Sequence, residues 1–375
     1  MNKLKSIGRR LLRLITVLTL LYVFLVSIKL MGHAFKGFGE GFAESLIQTT
    51  SNPFVALFIG ILATSIIQSS STTTSIVVGM VSAGTLTVSG AIPLVMGANI
   101  GTSVTNTLVS FAHVTRKEEF KRAFSSSLIH DIFNVSCVII LFPIEMTTHI
   151  LEKTASVLSM QFAHSAAFKF TSPLKVAIKP VIHMFDILFQ DLIHLPGKLN
   201  YVAMLFCALA LLFIALFFIV RVMKSLVIKR TEVIFDKVLG RSGVIGILMG
   251  ALFTAIIQSS SVTTSLMVPL AASGIVTLEQ ILPIVLGANL GTTVTAILAS
   301  LAGTQVGVTI AFVHLLFNTV GILIFYPSRF MRGMLLKEAR SLGEMSLRSR
   351  KYAFMYVAGV FFIIPLILIF LSKLF

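Results

Sequence analysis

The chain consists of long apolar runs separated by short clusters of basic residues. Several runs reach the roughly 20 residues that an α-helix needs to cross a bilayer. A lipid-exposed segment must satisfy its backbone hydrogen bonds internally, and a helix does so. The pattern therefore predicts an all-α polytopic membrane protein. The simple spans expected are about 14–31, 124–141, 201–220, 308–326 and 352–371.

Composition agrees with this pattern. Of the 375 residues, 56% are hydrophobic and 12% are charged, whereas soluble domains carry about 25% charged residues. The first apolar run is long and no small-residue cleavage site follows it, which is unlike a cleaved signal peptide. We expect a multi-pass protein of the cell membrane that is surrounded by the lipid bilayer. Cys137 and Cys207 lie in apolar runs, where packing is expected rather than a disulfide or a metal site.

The net charge of +16 has a topological interpretation. The basic residues lie beside the spans, as the positive-inside rule predicts for cytoplasmic loops. We therefore expect no nucleic-acid partner. The basic segment before the first span places the N-terminus in the cytoplasm, and the predicted number of crossings places the C-terminus outside. A homodimer is one option for the assembly.

A long internal repeat is the most informative feature of the sequence. Gln-Ser-Ser-Ser occurs at 68–71 and again at 258–261, which is 190 residues later (258 − 68). The match continues without a gap through 110 and 300, with about half of the positions identical. A fixed-period repeat indicates a duplicated structural unit. In an apolar chain, such a duplication is typical of transporters that hold a substrate between two halves.

The repeat predicts the order of units along the chain. Each half has a pair of short apolar arms around the serines, which predicts a re-entrant helical hairpin. A Gly-Ala-Asn-x-Gly sequence then predicts a break within a transmembrane helix. The predicted units are repeat 1 at 1–144 with its hairpin at about 53–83, an external connecting region at 145–200, repeat 2 at 201–351 with its hairpin at about 243–273, and a C-terminal span at 352–375.

The loops that follow the two broken helices predict opposite orientations. The segment Arg116–Arg122 is strongly basic, whereas the equivalent segment at 302–308 has no lysine or arginine. Since basic loops stay inside, matching loops on opposite faces predict inverted-topology repeats.

Hydroxyl and amide groups provide the candidate chemistry. No Asp, Glu, Lys or Arg lies between Glu44 and Arg116, and only Glu279 lies between Arg241 and Arg329. Serine, threonine and amide NH₂ groups donate hydrogen bonds, and helix N-termini attract anions. Two hairpin tips that meet would form a neutral, donor-rich oxyanion site. Its predicted residues are Gln68, Ser69, Ser70, Ser71, Gln258, Ser259, Ser260 and Ser261.

Oxygen ligands at the helix breaks suit a small hard cation such as Na⁺. The predicted cation-binding residues are Thr73, Asn99, Thr102, Thr264, Asn289 and Thr292. No other metal and no organic cofactor is expected.

Two other interpretations of these residues remain open. Small polar residues also let membrane helices pack closely, and packing is favoured for Thr105 and Thr295. A serine can instead be a nucleophile, which needs a base within reach. The motif His-x-x-Phe-Asn recurs at His130–Asn134 and His314–Asn318. These residues could bond backbone freed at a helix break, act as ligands, or serve in catalysis together with Asp131.

The motifs together resemble the type II sodium/phosphate cotransporters. The resemblance is carried by Gln-Ser-Ser-Ser-Thr at 68–72, Asn-Ile-Gly-Thr-Ser-Val-Thr-Asn-Thr at 99–107, Gln-Ser-Ser-Ser-Val at 258–262, Gly291-Thr292-Thr293, and both His-x-x-Phe-Asn motifs. It extends over nearly the whole chain outside the connecting region. It implies a non-enzymatic, Na⁺-driven symporter of inorganic phosphate, with the Gln-Ser-Ser-Ser motifs at the permeation site and alternating access as the mechanism.

Two features depart from the animal members of that family. The connecting region is short and lacks cysteine, and the sequence stops at Phe375, where the animal members are expected to continue into a further span and a cytoplasmic tail. The alternatives are Na⁺-coupled transport of another small oxyanion or a carboxylate, and a membrane-embedded serine hydrolase. A scaffold or channel would show no concentrative uptake.

Overall fold

The protein is built from helices throughout the part that the structure covers. The computed structural model describes residues 2–164, 166–238 and 242–372, and no strand occurs among them. Seven of the described helical segments are long and apolar enough to span a membrane. They are Leu11–Gly37, Val88–His113, Lys117–Thr148, Leu199–Ser225, Leu278–Leu301, Gln305–Phe325 and Arg350–Leu371. The predicted all-α polytopic class is confirmed.

The first half of the chain and the connecting region contain nine helices in the described residues. They are α1 (Asn2–Gly37), α2 (Glu40–Thr50), α3 (Pro53–Ile67), α4 (Ser70–Ala83), α5 (Val88–Gly101), α6 (Ser103–Ser110), α7 (Lys117–Thr148), α8 (Ile150–His164) and α9 (Ala166–Asp186). Helix α2 meets α3 at 99°. A 3₁₀ turn (Phe111–His113) follows α6, and a π-helical turn (Ile187–Leu192) follows α9.

The second half contains nine further helices among its described residues. Its helices are α10 (Leu199–Val238), α11 (Gly243–Ile257), α12 (Ser260–Ser265), α13 (Met267–Ala272), α14 (Leu278–Leu301), α15 (Gln305–Phe325), α16 (Arg329–Arg348), α17 (Arg350–Ala358) and α18 (Ile364–Leu371). A π-helical turn (Gly359–Ile363) joins the last two.

Large apolar side chains cover much of the outer surface. Phe206 on α10 is 69% exposed and Phe370 on α18 is 67% exposed. A water-soluble monomer rarely exposes a continuous apolar surface of this kind. A lipid environment removes the cost, so the surface agrees with the predicted membrane location.

A tight turn joins α3 to α4, and an equivalent turn joins α11 to α12. Gln68 and Gln258 end the first arms in the left-handed region, with φ of 58° and 64°, a common way for a helix to end. Ser69 and Ser259 then cap the second arms, since their side chains accept hydrogen bonds from the backbone N–H of Thr72 and Val262. Each Gln-Ser-Ser-Ser sequence thus encodes a helix end, a turn and a new helix start.

The predicted break at Gly-Ala-Asn-x-Gly is wrong for the second half, and in the first half the helix is interrupted only at Thr102, directly after Gly101. Helix α14 runs without interruption through Asn289, and in the first half Thr102 between α5 and α6 keeps a right-handed helical backbone with φ −62° and ψ −30°. The glycines serve helix packing instead. A Cβ at Gly97 would collide with the carbonyl oxygen of Leu57 on α3, and one at Gly287 with that of Ile247 on α11. Small residues allow this close approach of membrane helices.

The two long helices α1 and α10 pack side by side and define two ends of the molecule. At one end, the ring of His33 on α1 lies 6.3 Å from that of Tyr201. Arg221 lies 20 residues further along α10, which corresponds to roughly 30 Å of helix. The site described next lies between these ends.

Candidate functional site

The two Gln-Ser turns contact each other although they lie 190 residues apart. The hydroxyl of Ser71 lies 3.4 Å from the backbone oxygen of Gln258 and 3.4 Å from the Oγ1 of Thr295. Thr295 in turn donates a 2.9 Å hydrogen bond to the side-chain oxygen of Gln258. Packing of α4 against α14 brings these groups together.

A cavity of about 430 Å³ lies beside this contact and is lined by both turns. Ser69, Ser71 and Thr72 face it from the first turn, while Gln258 and Ser259 face it from the second. Of the eight residues predicted to bind the oxyanion, four therefore line one space. The other four lie in the same turns, outside the cavity lining: Gln68, Ser70, Ser260 and Ser261.

Helix α10 lines one side of the cavity with residues that were not predicted from the sequence. Phe213, Leu216 and Phe217 form an apolar wall, and Arg221 and Lys224 line the same cavity. The repeated motifs carry no basic residue, yet the site has two nearby cations. The sequence signal was present, because the basic segment directly follows the span at 201–220, but it was interpreted as a topology signal alone.

The two glutamines have different surroundings. Gln68 is exposed, whereas Gln258 is 8% exposed. Besides its bond to Thr295, Gln258 donates to the backbone oxygen of Ala255 within its own turn. Among the described residues, no hydrogen bond fixes the side chain of Gln68. The second turn is therefore held in place, while the first presents a free amide.

Threonine pairs link the two arms of each hairpin. Thr64 donates to Thr73 at 2.9 Å, and Thr254 lies 2.6 Å from Thr263 in the second hairpin. Both residues of each pair stand 190 positions from their counterparts. The duplication therefore includes side-chain contacts as well as sequence.

Asn106 connects the first half to the second hairpin. Its side-chain oxygen accepts hydrogen bonds from Thr264 at 2.8 Å and from Ser265 at 3.1 Å. Thr264, a predicted sodium ligand, is thus bonded to the other half of the chain. Asn106 was not among the predicted residues.

A second polar layer joins the asparagines of the repeated motifs. Asn289 donates to Asn134 at 2.8 Å, Asn134 donates to the backbone oxygen of Asn99 at 3.3 Å, and His314 lies 3.1 Å from the Asn99 side-chain oxygen. All four residues are buried. The structure therefore brings Asn99 and Asn289 into one network.

The remaining predicted sodium ligands bond within their own helices. Thr102 donates to Ala98 and Thr292 to Ala288, at 2.9 and 3.0 Å, and Thr73 lies in the first hairpin. Among the described residues, no hydrogen bond joins Thr73 to Asn99 or Thr102. Several buried side-chain atoms have no hydrogen-bond partner within the part of the chain that the structure describes: Thr74 Oγ1, Thr105 Oγ1, Asn106 Nδ2, Ser126 Oγ, His130 Nε2, Asp131 Oδ1, His314 Nδ1 and Asn318 Oδ1.

The geometry around His130 does not form a catalytic triad. His130 Nδ1 lies 2.7 Å from the hydroxyl of Ser103. Asp131 instead accepts a hydrogen bond from Tyr356. A triad requires the carboxylate to orient the histidine, and Ser103 is not one of the duplicated Gln-Ser-Ser-Ser serines.

Comparison with known proteins identifies the family. The model of the Na⁺/Pi-cotransporter family matches residues 23–221 and 211–345. The chain belongs to the Na⁺/Pi-cotransporter family. This confirms the resemblance drawn from the motifs, and the family is one of transporters rather than enzymes.

Individual relatives of this Na⁺/Pi-cotransporter family member are animal proteins. Sodium-dependent phosphate transport protein 2B of Homo sapiens and of Pongo abelii are both 33% identical over 94% of this chain and 64% of their own length. Protein 2A of Rattus norvegicus is 31% identical over 97% of this chain and 68% of its own. The chain thus spans somewhat under two thirds of the length of the 2B proteins. No solved structure gives a significant match.

Proposed function

We propose that the protein takes up inorganic phosphate coupled to Na⁺, with phosphate bound between the two Gln-Ser turns. The observation that carries this proposal is that both turns line one cavity, together with Arg221 and Lys224. The family match and the names of the sodium-dependent relatives agree with it.

The proposed phosphate ligands are the eight residues of the two turns. Serine hydroxyls and glutamine NH₂ groups donate to phosphate oxygens, and the N-terminus of α4 adds backbone N–H groups and a favourable dipole. Gln68 has a free amide, so a small movement of the first turn would add it to the four residues already at the cavity. Arg221 and Lys224 supply long-range attraction for the anion.

Sodium would use hard oxygen ligands in the adjoining layer. We propose Asn99, Thr102 and Thr73 for one site and Asn289, Thr292 and Thr264 for another. Thr74, which follows Thr73, and Thr105, three residues after Thr102, have buried hydroxyl oxygens without hydrogen-bond partners among the described residues. A cation would compensate such oxygens, which are costly to bury alone. Sodium would also offset phosphate charge, so each ion strengthens binding of the other.

The packing of α7 supports inverted repeats with re-entrant hairpins. Near its N-terminus, Arg122 donates a 2.9 Å hydrogen bond to Ala272 at the open end of the second hairpin. Near its C-terminus, the ring of Phe142 lies 5.1 Å from Phe54 at the open end of the first. Because one helix separates these contacts, the hairpins would open toward opposite ends and meet at their turns. The proposed repeats are 1–144 and 201–351, with 145–200 and 352–375 outside them.

Alternating access follows from that arrangement. We place the end with Arg221 and the basic loop at 116–122 in the cytoplasm by the positive-inside rule, with the N-terminus on the same side and the C-terminus outside. The cavity would then open inward, and rearrangement of the hairpins would open the site outward.

Phosphate uptake into proteoliposomes tests the function. The full-length protein should concentrate ³²P-phosphate with an inward Na⁺ gradient and give background uptake with choline. Parallel K⁺ and Li⁺ gradients define the coupling ion, and competition by sulfate or small carboxylates separates the alternative substrates. Equal uptake in Na⁺ and choline buffers would refute the proposal.

Site-directed labelling tests the orientation. After replacement of Cys137 and Cys207, single cysteines at Lys117 and Gln305 should react with an impermeant maleimide from opposite sides of the membrane. Reaction of both from the same side would refute the inverted arrangement without bearing on the substrate.

A further inference from the structure

A second cavity lies at the opposite end of the molecule from Arg221, between α1 and α9. Its volume is about 290 Å³, and it is lined by residues of α1, α9, the end of α4 and the loop after α14. Lys29, His33 and Lys36 of α1 follow one another at spacings of four and three residues. Lys179, His183 and Asp186 have the same spacings on α9. These spacings place each set on one helix face, and the two faces line the same cavity.

The position of α9 against α1 is fixed by polar contacts. Tyr22 donates a 2.9 Å hydrogen bond to the backbone oxygen of Ala177, and His33 Nε2 lies 2.9 Å from a carboxylate oxygen of Asp186. The His33 contact uses the one carboxylate of the cavity lining. In the part of the chain that the structure describes, no carboxylate pairs with Lys36 or Lys179.

The charge balance of this cavity favours an anion. Among the described residues, Lys36, Lys179, His33 and His183 line the cavity together with one carboxylate, that of Asp186. Like charges that converge on a cavity repel each other, and the repulsion is stronger than in bulk water because part of the surroundings is protein. A bound anion removes the repulsion.

A topological explanation for these lysines is weak. The cavity lies near Tyr201, whereas Arg221 and Lys224 lie roughly 30 Å further along α10. The basic loop at Arg116 also lies at that far end, where α16 and α17 follow α15. The guanidinium of Arg350, the first residue of α17, donates a 3.1 Å hydrogen bond to the backbone oxygen of Thr115. The positive-inside rule assigns basic residues to one side of the membrane, so it does not account for a cluster at the other.

We propose that the α1–α9 cavity is a binding site for a phosphate-type oxyanion. Lysine ammonium groups bind phosphate as point charges with three donors each. Ile28, Ile178 and Ile182 add apolar lining beside the cations, which would contact the glycerol or acyl part of a phospholipid. The shared chemistry is thus a phosphate group, either free inorganic phosphate or the headgroup of an anionic lipid.

This site is separate from the one between the Gln-Ser turns and does not depend on the proposed transport. The test compares the purified full-length protein with the variant Lys36→Gln/Lys179→Gln. Both side chains are exposed, so folding should be retained, and thermal denaturation verifies this. The charge-matched control is Lys153→Gln/Lys198→Gln, which removes two lysines near the same end but outside the cavity lining. Single Lys179→Gln is the milder variant if the pair lowers the yield.

Two measurements distinguish the sources. Equilibrium binding of ³²P-phosphate to delipidated protein detects a free-phosphate site, and the background Gln68→Ala/Gln258→Ala removes the contribution of the turns. Native mass spectrometry after incubation with phosphatidylglycerol or phosphatidylcholine detects a retained anionic lipid.

In one of these measurements, the lysine pair variant should lose about tenfold or more in affinity, as expected for loss of two charged donors, while the control stays within twofold of the original protein. Unchanged affinity in both measurements, or an equal loss in the control, would overturn the proposal. Transport can fail in the uptake assay while this binding persists, so the two proposals are tested separately.

Discussion

The two Gln-Ser turns share a sequence and a backbone but have different surroundings. Both glutamines adopt a left-handed backbone conformation, and the serine that follows each of them caps a helix. Yet Gln258 is buried and bonded to Thr295, while Gln68 is exposed. Thr105 is the counterpart of Thr295 at the 190-residue offset, and no described residue forms a hydrogen bond with its hydroxyl. Identical residues therefore make different contacts in the two halves.

A few substitutions between the repeats add to this difference. Asn106 accepts a hydrogen bond from Thr264. The counterparts of these two residues are Ala296 and Thr74, and the Thr74 hydroxyl has no hydrogen-bond partner in the described structure. Pro269 replaces the equivalent of Gly79, and its missing N–H accompanies the division of the second arm into α12 and α13. The comparison indicates that the backbone geometry of each turn is encoded locally, while its burial and its side-chain hydrogen bonds depend on the opposite half of the chain.

The largest effect is expected where the two halves are most alike. Gly97→Ala and Gly287→Ala should each strongly reduce the yield of folded protein, because a Cβ would collide with backbone that cannot move aside. Size-exclusion chromatography and thermal denaturation measure this. Gly333→Ala, where no neighbouring atom lies within 4 Å, is the control. Tolerance of one substitution but not the other would show that the glycines are not equivalent.

The glutamines should matter equally for phosphate, despite their different burial. Gln68→Ala and Gln258→Ala should each weaken phosphate binding by about tenfold to a hundredfold, since each removes hydrogen bonds to a charged group worth roughly 1.5–3 kcal/mol. Isothermal titration with phosphate in Na⁺ buffer provides the affinities. The double variant should be non-additive. Retained affinity in either single variant would contradict a shared site.

The same two variants should differ in stability. Gln258→Ala removes a buried hydrogen bond and should cost about 1 kcal/mol of unfolding free energy. Gln68→Ala changes an exposed side chain and should remain within about 0.5 kcal/mol of the original protein. Melting temperatures of the purified variants without phosphate show the difference. Equal losses would mean that the two turns have the same surroundings in the free protein.

The smallest effects should come from the paired threonines. Thr295→Val should destabilise the protein by about 1 kcal/mol, because Gln258 loses its hydrogen-bond donor. Thr105→Val should be neutral or slightly stabilising without ligands, because it removes a buried hydroxyl that has no partner. Paired thermal melts check the sign of the difference. If Na⁺ uses Thr105, its substitution should lower the Na⁺-dependent rise in melting temperature.

Much of the fold could be predicted from the sequence, because its causes are local. The length of each apolar run determines whether it can span a bilayer. The Gln-Ser-Ser-Ser sequence itself encodes a helix end and a serine cap for the next helix. The repeat also continues upstream to Gly60 and Gly250, which make the same close contact on α5 and α14. That extension of the repeat is visible in the sequence alone.

Only the tertiary structure decided how these pieces meet. The glycines in Gly-Ala-Asn-x-Gly predicted a break, yet they allow close packing, because the same lack of a Cβ serves both purposes and only the neighbouring helix distinguishes them. Likewise, the sequence alone could not bring Arg221 and Lys224 to the turns, or bury Gln258 and expose Gln68. Those outcomes depend on the packing of side chains far apart along the chain, whereas run length and helix capping depend on residues within one helix.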